Sequence, residues 1–225
     1  YEETCNYAAK QSALNNWMLV QDTSWDGYEK IPALIMSGYL THFKEMEDSI
    51  NLFQKPKIDI IFLQCGVGSW PASCIWYYLN RYRTNRPKIV LVEPNEASGV
   101  LSSFMHNQRV SPKGNFETIM AGLNCGIPSK SAWEIIKKGC DAVMTISDED
   151  ARDAMRTLYK PKENDKRIIS GESGSAGLAG LIKCIKNPVM SKLNEHIGLN
   201  SKSRILLFNT EGDTDKERFK SIVEL

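Results

Sequence analysis

The chain reads as an α/β protein with a mostly parallel sheet and flanking helices, on three observations. Apolar runs at Ile58 to Gln64, Lys88 to Val92, Ala142 to Ile146, Arg167 to Ser170 and Ile205 to Phe208 alternate with helical stretches. The run from Ile58 to Leu63 is continuous, as in strands buried on both faces. Three glycine-bearing turns, Gly66-Val67-Gly68-Ser69, Gly171-Glu172-Ser173-Gly174 and Glu211-Gly212-Asp213-Thr214-Asp215, sit directly behind such runs. Open α/β sheets bind ligands outside the carboxyl ends of their strands, so the repetition points to a phosphate-bearing ligand.

Residues 5 to 16 read as helix interior, with Ala8, Ala9, Ala13 and Leu14 on one side, and Trp17 to Val20 as a short strand. Since the chain starts at Tyr1 and is already helical there, it is expected to be a fragment of a longer enzyme. After a polar loop from Gln21 to Lys30, Pro32 opens a helix, because proline costs nothing in a first turn whose N–H groups lack partners. Ile35, Tyr39 and Phe43 recur at four-residue spacing and carry that helix to about Ile50. Lys55-Pro56-Lys57 punctuates before the first buried strand. Pro71 then marks a second helix start, leading into Ala72 to Arg83, and Glu93-Pro94 closes the strand from Lys88. Ser131-Ala132-Trp133-Glu134 has capping-box spacing, and Ser147-Asp148-Glu149-Asp150 places acid at another helix start. The small residues of the Ser175 to Lys186 helix imply close packing on the sheet or a cofactor, and Asn187-Pro188 ends it.

With 42% hydrophobic residues in 225, the chain can bury a substantial core. Its 28 basic and 27 acidic side chains leave a net charge of +1, too little excess field to hold a nucleic-acid backbone or an anionic membrane. No apolar stretch approaches the roughly 20 residues that span a bilayer, and no signal-peptide pattern opens the sequence. A soluble, cytoplasmic protein is expected. The six cysteines form no Cys-x-x-Cys pair and have no histidine at zinc-ligand spacing, so free thiols and no metal are expected. His42, His106 and His196 read as surface or packing residues.

A strand, the Gly66–Ser69 turn and a helix start together offer unpaired N–H groups and a positive dipole end to an anion, with the Ser69 hydroxyl as a further donor. The same glycines also suit a plain tight turn. Glu93 lies 25 residues after Gly68, where a dinucleotide's ribose would want an acid, but Pro71 stands where the third glycine of that fingerprint belongs.

Leu19-Val20-Gln21-Asp22-Thr23-Ser24-Trp25, with Gly27-Tyr28, Ile31-Pro32 and Ile35-Met36-Ser37-Gly38-Tyr39, resembles the diaminopropionate ammonia-lyase family. So do Phe62 to Ser69, Val92-Glu93-Pro94, Thr118 to Leu123, Ile169 to Gly174 and Thr210 to Asp215, in the same order over nearly the whole chain. The resemblance implies a pyridoxal 5'-phosphate enzyme of the tryptophan synthase β-like fold (fold type II), a homodimer with the cofactor in a cleft between two α/β domains. Residues 1–55 would be the later part of the small domain and 56–225 most of the large one.

The same resemblance gives Gly66, Val67, Gly68 and Ser69 the cofactor phosphate. It gives Asn209-Thr210 the pyridine nitrogen, with Thr210 as donor, and makes Glu172 a cofactor-side acid, although Glu172 could equally serve a helix N-terminus. Asp22 is the chosen catalytic base, acting on the substrate α-carbon, and Asp26 is a second candidate; Asp22 could instead cap its own loop. No lysine matches the family's Schiff-base motif, and Lys30 reads as a solvated loop residue. The expected activity of the whole enzyme is α,β-elimination of 2,3-diaminopropionate to pyruvate and ammonia. A serine/threonine dehydratase of the same fold, a non-catalytic amino-acid-binding module and a NAD-binding oxidoreductase stand as alternatives.

Overall fold

A computed structural model describes residues 2–52 and 57–224. The boundary expected at residue 55, with Lys55-Pro56, lies outside the described residues. Helix α1 (Glu2–Asn15) is followed by a loop and α2 (Lys30–Leu52), with Pro32 in its first turn. Next come β1 (Ile60–Gln64), α3 (Ser69–Tyr82), β2 (Lys88–Pro94), α4 (Gly99–His106), α5 (Lys130–Gly139) and β3 (Ala142–Ile146). The remainder is α6 (Asp148–Tyr159), α7 (Ala176–Lys186), α8 (Ser191–Ile197), β4 (Ile205–Leu207) and α9 (Lys216–Val223).

The four strands form a parallel sheet in the order β3-β2-β1-β4. Every residue of β1 is buried, and its side chains alternate between two cores, as the two-residue period of a strand requires. Ile61 and Leu63 join Ile89 and Leu91 under α2, α3 and α5. Ile60 and Phe62 join Val90 and Val92 under α6, α7 and α8. A strand buried on both faces needs an unbroken apolar sequence, which is what Ile58 to Leu63 supplies.

Helix starts differ in how they are closed. Ser147 caps α6 with a full capping box, reciprocated by Asp150. Ser131 does not cap α5: the helix begins at Lys130 with Ser129 at its N-cap position, and neither serine makes the cap bond. The Ser131 hydroxyl is instead engaged by Ser24.

Two expected strands are absent from the described sheet. Trp17 to Val20 has no partner strand, and Trp17, Met18 and Val20 are largely exposed. Arg167 to Ser170 joins no ladder; it is held by Ile168 N–H donating to Leu158 O, by Ile169 O accepting from the Asn209 side chain and by Arg167 over the Tyr159 ring. Pairing is a property of the partner, and an apolar run cannot declare one. Among the described residues none of the cysteines forms a disulfide, and no helix is long and apolar enough to cross a membrane.

Candidate functional site

Strand β1 lies between β2, which the chain reaches next through α3 on one face, and β4, which it reaches only after β3 through α6, α7 and α8 on the other face, so the strand order reverses beside β1. That reversal opens a crevice at the carboxyl ends of β1 and β4. A cavity of about 560 Å³ lies there, lined by the Gly66–Ser69 turn after β1, Asn209-Thr210 after β4, Gly122-Leu123, and Asp22, Tyr39 and His42 from the N-terminal segments. A cavity of about 680 Å³ near Lys160–Lys166 is larger, but it lies away from these glycine turns.

The Gly66–Ser69 turn is shaped by what it must avoid. Gly68 has φ +94°, in the left-handed region, and a Cβ there would come within 2.7 Å of Ile136 Cδ1. A Cβ on Gly66 would press on Cys125 Sγ at 3.3 Å and Gly122 O at 3.4 Å. Gly68 sits at the N-cap of α3 with no side-chain cap, so the first N–H groups of a 14-residue helix face the cavity end with no helical acceptor. The helix dipole adds partial positive charge at that end. Hence the turn fits a phosphate group through backbone donors. Ser69 departs from its expected part, since its hydroxyl donates to the carbonyl oxygen of Asp22 at 2.9 Å.

Asp22 is half-buried in the cavity wall. Burial pushes its carboxyl above the usual carboxylate range, against the pull of its own and Thr23 backbone N–H groups. The loop carrying it is stapled to α5: Ser24 N–H donates to Ser129 Oγ at 2.9 Å, and Ser131 N–H donates to Ser24 Oγ at 2.8 Å. Five residues after Asp22, the chain turns through Gly27 at φ +85°. That turn leaves the Asp26 side chain 93% exposed and ion-paired with Lys130, outside the cavity.

Beyond β4, the Thr210 hydroxyl accepts a hydrogen bond from Gln64 Nε2 at 2.6 Å, and Gln64 Nε2 also donates to Phe208 O at 3.1 Å. Asn209 lines the cavity, but its side-chain amide is committed to the backbone of Ile169 and Glu211. Glu172 does not line the cavity; its carboxylate pairs with Arg218 at 3.0 Å. The acid at that turn is Glu211, whose Oε2 accepts the N–H groups of Ser173 at 2.6 Å and Gly174 at 3.1 Å. Thus the second and third glycine turns lock onto each other, while the first faces the cavity. Glu93 is fully buried and accepts the N–H groups of Val100 at 2.8 Å and Leu101 at 2.9 Å, so it closes the start of α4 and is not placed to bind a ribose.

Sequence reasoning left Tyr39 and His42 out of the site. Both lie on α2 at i,i+3 spacing, which puts them on one helix face, and His42 reaches the cavity with its ring 6.1 Å from Trp70 and 5.2 Å from Phe208. The spacing was the available signal. No lysine lines the cavity among the described residues.

Similarity to known proteins agrees with this geometry. The chain is 34% identical over 223 residues to diaminopropionate ammonia-lyase of Escherichia coli strain K12, covering 99% of this chain and 56% of that protein. The crystal structure of the Escherichia coli enzyme with an aminoacrylate–PLP reaction intermediate superposes with a TM-score of 0.91 at 34% identity, again across 99% of this chain and 56% of that one. The processed form of threonine deaminase isoform 2 from Solanum lycopersicum shares the fold, with a TM-score of 0.75 at 16% identity over 97% of this chain and 55% of that one. This chain therefore spans little more than half the length of the proteins it matches. The pyridoxal-phosphate dependent enzyme family itself matches residues 1–210. A parallel sheet with its glycine turn at the reversal point, an anion cradle in which position 68 has no room for a Cβ and a match across that span lead to one conclusion: the chain belongs to the pyridoxal-phosphate dependent enzymes.

Proposed function

We propose that this chain is part of an ammonia-lyase that converts 2,3-diaminopropionate and water to pyruvate and two molecules of ammonia. The observation that carries the reading is that Asp22, the Gly66–Ser69 turn and Thr210, far apart in sequence, line one cavity. They do so in a chain that matches such a lyase over 99% of its length.

In this reading the backbone donors of Gly66–Ser69 hold the cofactor phosphate, and Thr210 offers its hydroxyl to the ring edge. Bound pyridoxal phosphate supplies an electron sink that acidifies the substrate α-carbon. Asp22 takes the α-proton, and burial raises its proton affinity above that of an ordinary carboxylate, in the direction a general base requires. Tyr39 and His42 face the same space and bound the substrate side. The lysine that anchors the cofactor aldehyde belongs to the remainder of the enzyme.

The reading includes residues 1–55 as the later part of a small domain, 56–225 as most of a large one, and a homodimer. Exposed apolar side chains at Leu14, Trp17, Met18 and Val20 support further protein packed against that end. Cysteines that form no disulfide among the described residues support a reducing, cytoplasmic setting.

The test is release of a 2-oxo acid by the enzyme containing this chain, loaded with pyridoxal phosphate and offered 2,3-diaminopropionate, serine or threonine in turn, the first two yielding pyruvate and threonine yielding 2-oxobutyrate. Pyruvate from 2,3-diaminopropionate is expected; turnover of serine or threonine alone would replace the assignment with a dehydratase.

A further inference from the structure

Gln64 ends β1 at the cavity wall, 4% exposed, and its role rests on which way its amide faces. Phe208 O, 3.1 Å away, is a carbonyl and can only accept, so the amide atom facing it must be the nitrogen. The same nitrogen lies 2.6 Å from Thr210 Oγ1. Turning the amide over would set two acceptor oxygens against each other and leave the NH₂ group in the place of Oε1, which has no partner where it stands. That exchange loses a bond and gains a repulsion. Both hydrogens of the amide are therefore spent, one on Phe208 O and one on Thr210.

A threonine hydroxyl has one hydrogen and two lone pairs. Since one lone pair takes the hydrogen from Gln64, the hydroxyl's own hydrogen is left to give. We propose that Gln64 is a positioning residue that commits Thr210 to donating a hydrogen bond into the cavity, so that the ligand atom opposite Thr210 is held as an acceptor. The inference rests on the pyridoxal-phosphate reading above: the acceptor would be the cofactor ring nitrogen, kept without a proton. The carbonyl of Phe208, on the chain just beyond β4, is thus the fixed point from which the polarity of the whole relay follows. Gly177 on α7 leaves space beside the Gln64 amide, since a Cβ there would lie 3.4 Å from Gln64 Oε1 and 3.1 Å from Phe62 O.

The experiment loads the enzyme containing this chain with pyridoxal 5'-phosphate labelled with ¹⁵N in its ring and follows the ring-nitrogen resonance against pH. In the wild type the nitrogen is expected to stay unprotonated and hydrogen-bonded around neutral pH. Gln64→Glu replaces the donor by an acceptor, so Thr210 turns its hydrogen to the new carboxylate and presents a lone pair to the ring. The nitrogen's titration then moves upward by on the order of one pH unit. Gln64→Leu, which frees the hydroxyl to turn either way, gives a smaller shift in the same direction and serves if the glutamate variant does not fold. Thr210→Val separates the relay from a bare charge effect, because the shift caused by Gln64→Glu must shrink in that background. A ring nitrogen already protonated in the wild type, or an equal shift with and without Thr210, overturns the proposal. Failure to bind the labelled cofactor at all overturns the underlying reading as well, and is told apart by the absence of any bound resonance.

Discussion

Asp22 and Asp26 stand four residues apart, and the turn at Gly27 sends only one of them into the cavity. A general base contributes typically 10²–10⁴-fold, so Asp22→Asn is expected to lower kcat/KM by about that range, while Asp26→Asn stays near wild type. Because burial raises the Asp22 carboxyl and a base must be ionised, the acid limb of the kcat/KM profile should lie above the ordinary carboxylate range and disappear in the Asn variant. Steady-state kinetics across pH decides it. Glu93 makes a different kind of prediction. Burial outweighs its two N–H donors and pushes its carboxyl up from 4.5 to about 8, so the folded state keeps a proton that the unfolded chain has released. Its contribution to stability is full below about 4.5 and is lost as the pH rises to about 8. Thermal midpoints measured across that window should fall with pH in the wild type and flatten in Glu93→Gln.

At the scale of elements, three turns that look alike in sequence do unlike work. An alanine at Gly68 meets both a left-handed backbone and the Ile136 side chain, and should cost about 2 kcal/mol or more while weakening binding of the phosphate-bearing cofactor. At Gly212 a Cβ meets nothing within 4 Å, and alanine there should be close to neutral in denaturant unfolding. Glu211 binds two backbone N–H groups of the facing turn, so Glu211→Ala should cost about 1–3 kcal/mol, read as a lower midpoint in the same experiment. Local signals carried the elements they govern: Pro32 and the four-residue period gave α2, and Ser147 with Asp150 gave the start of α6. They failed where a distant partner decides. Ser131 has capping spacing but answers to Ser24, and Arg167 to Ser170 has a strand's composition but no ladder. Glu172 and Glu211 are equally plausible beside a glycine turn; only the fold shows which one reaches the opposite backbone.

For the whole molecule, the parallel sheet and its ligand edge were legible because both-face burial and turn chemistry are written locally. Membership of the cavity wall was legible for Gly66–Ser69, Asp22 and Thr210, and illegible for Tyr39 and His42, whose helix face becomes a wall only after α2 packs against α3. The two cores share β1 and β2, so damage at the centre should not stay local. Leu91→Ala, at a fully buried position of β2, is expected to cost about 2–5 kcal/mol and to lower the unfolding midpoint without changing cooperativity. The serine staple has a consequence of another kind. Residues 22–24, 66–69 and 129–131 are joined by Ser69 to Asp22 O, Ser129 N–H to Val67 O, and the Ser24, Ser129 and Ser131 contacts. Three stretches widely separated along the gene are thus expected to change together: a change at Ser24 should be accompanied in related sequences by changes at Ser129 or Ser131, and a designer moving the Asp22 loop to another scaffold would have to move all three stretches together.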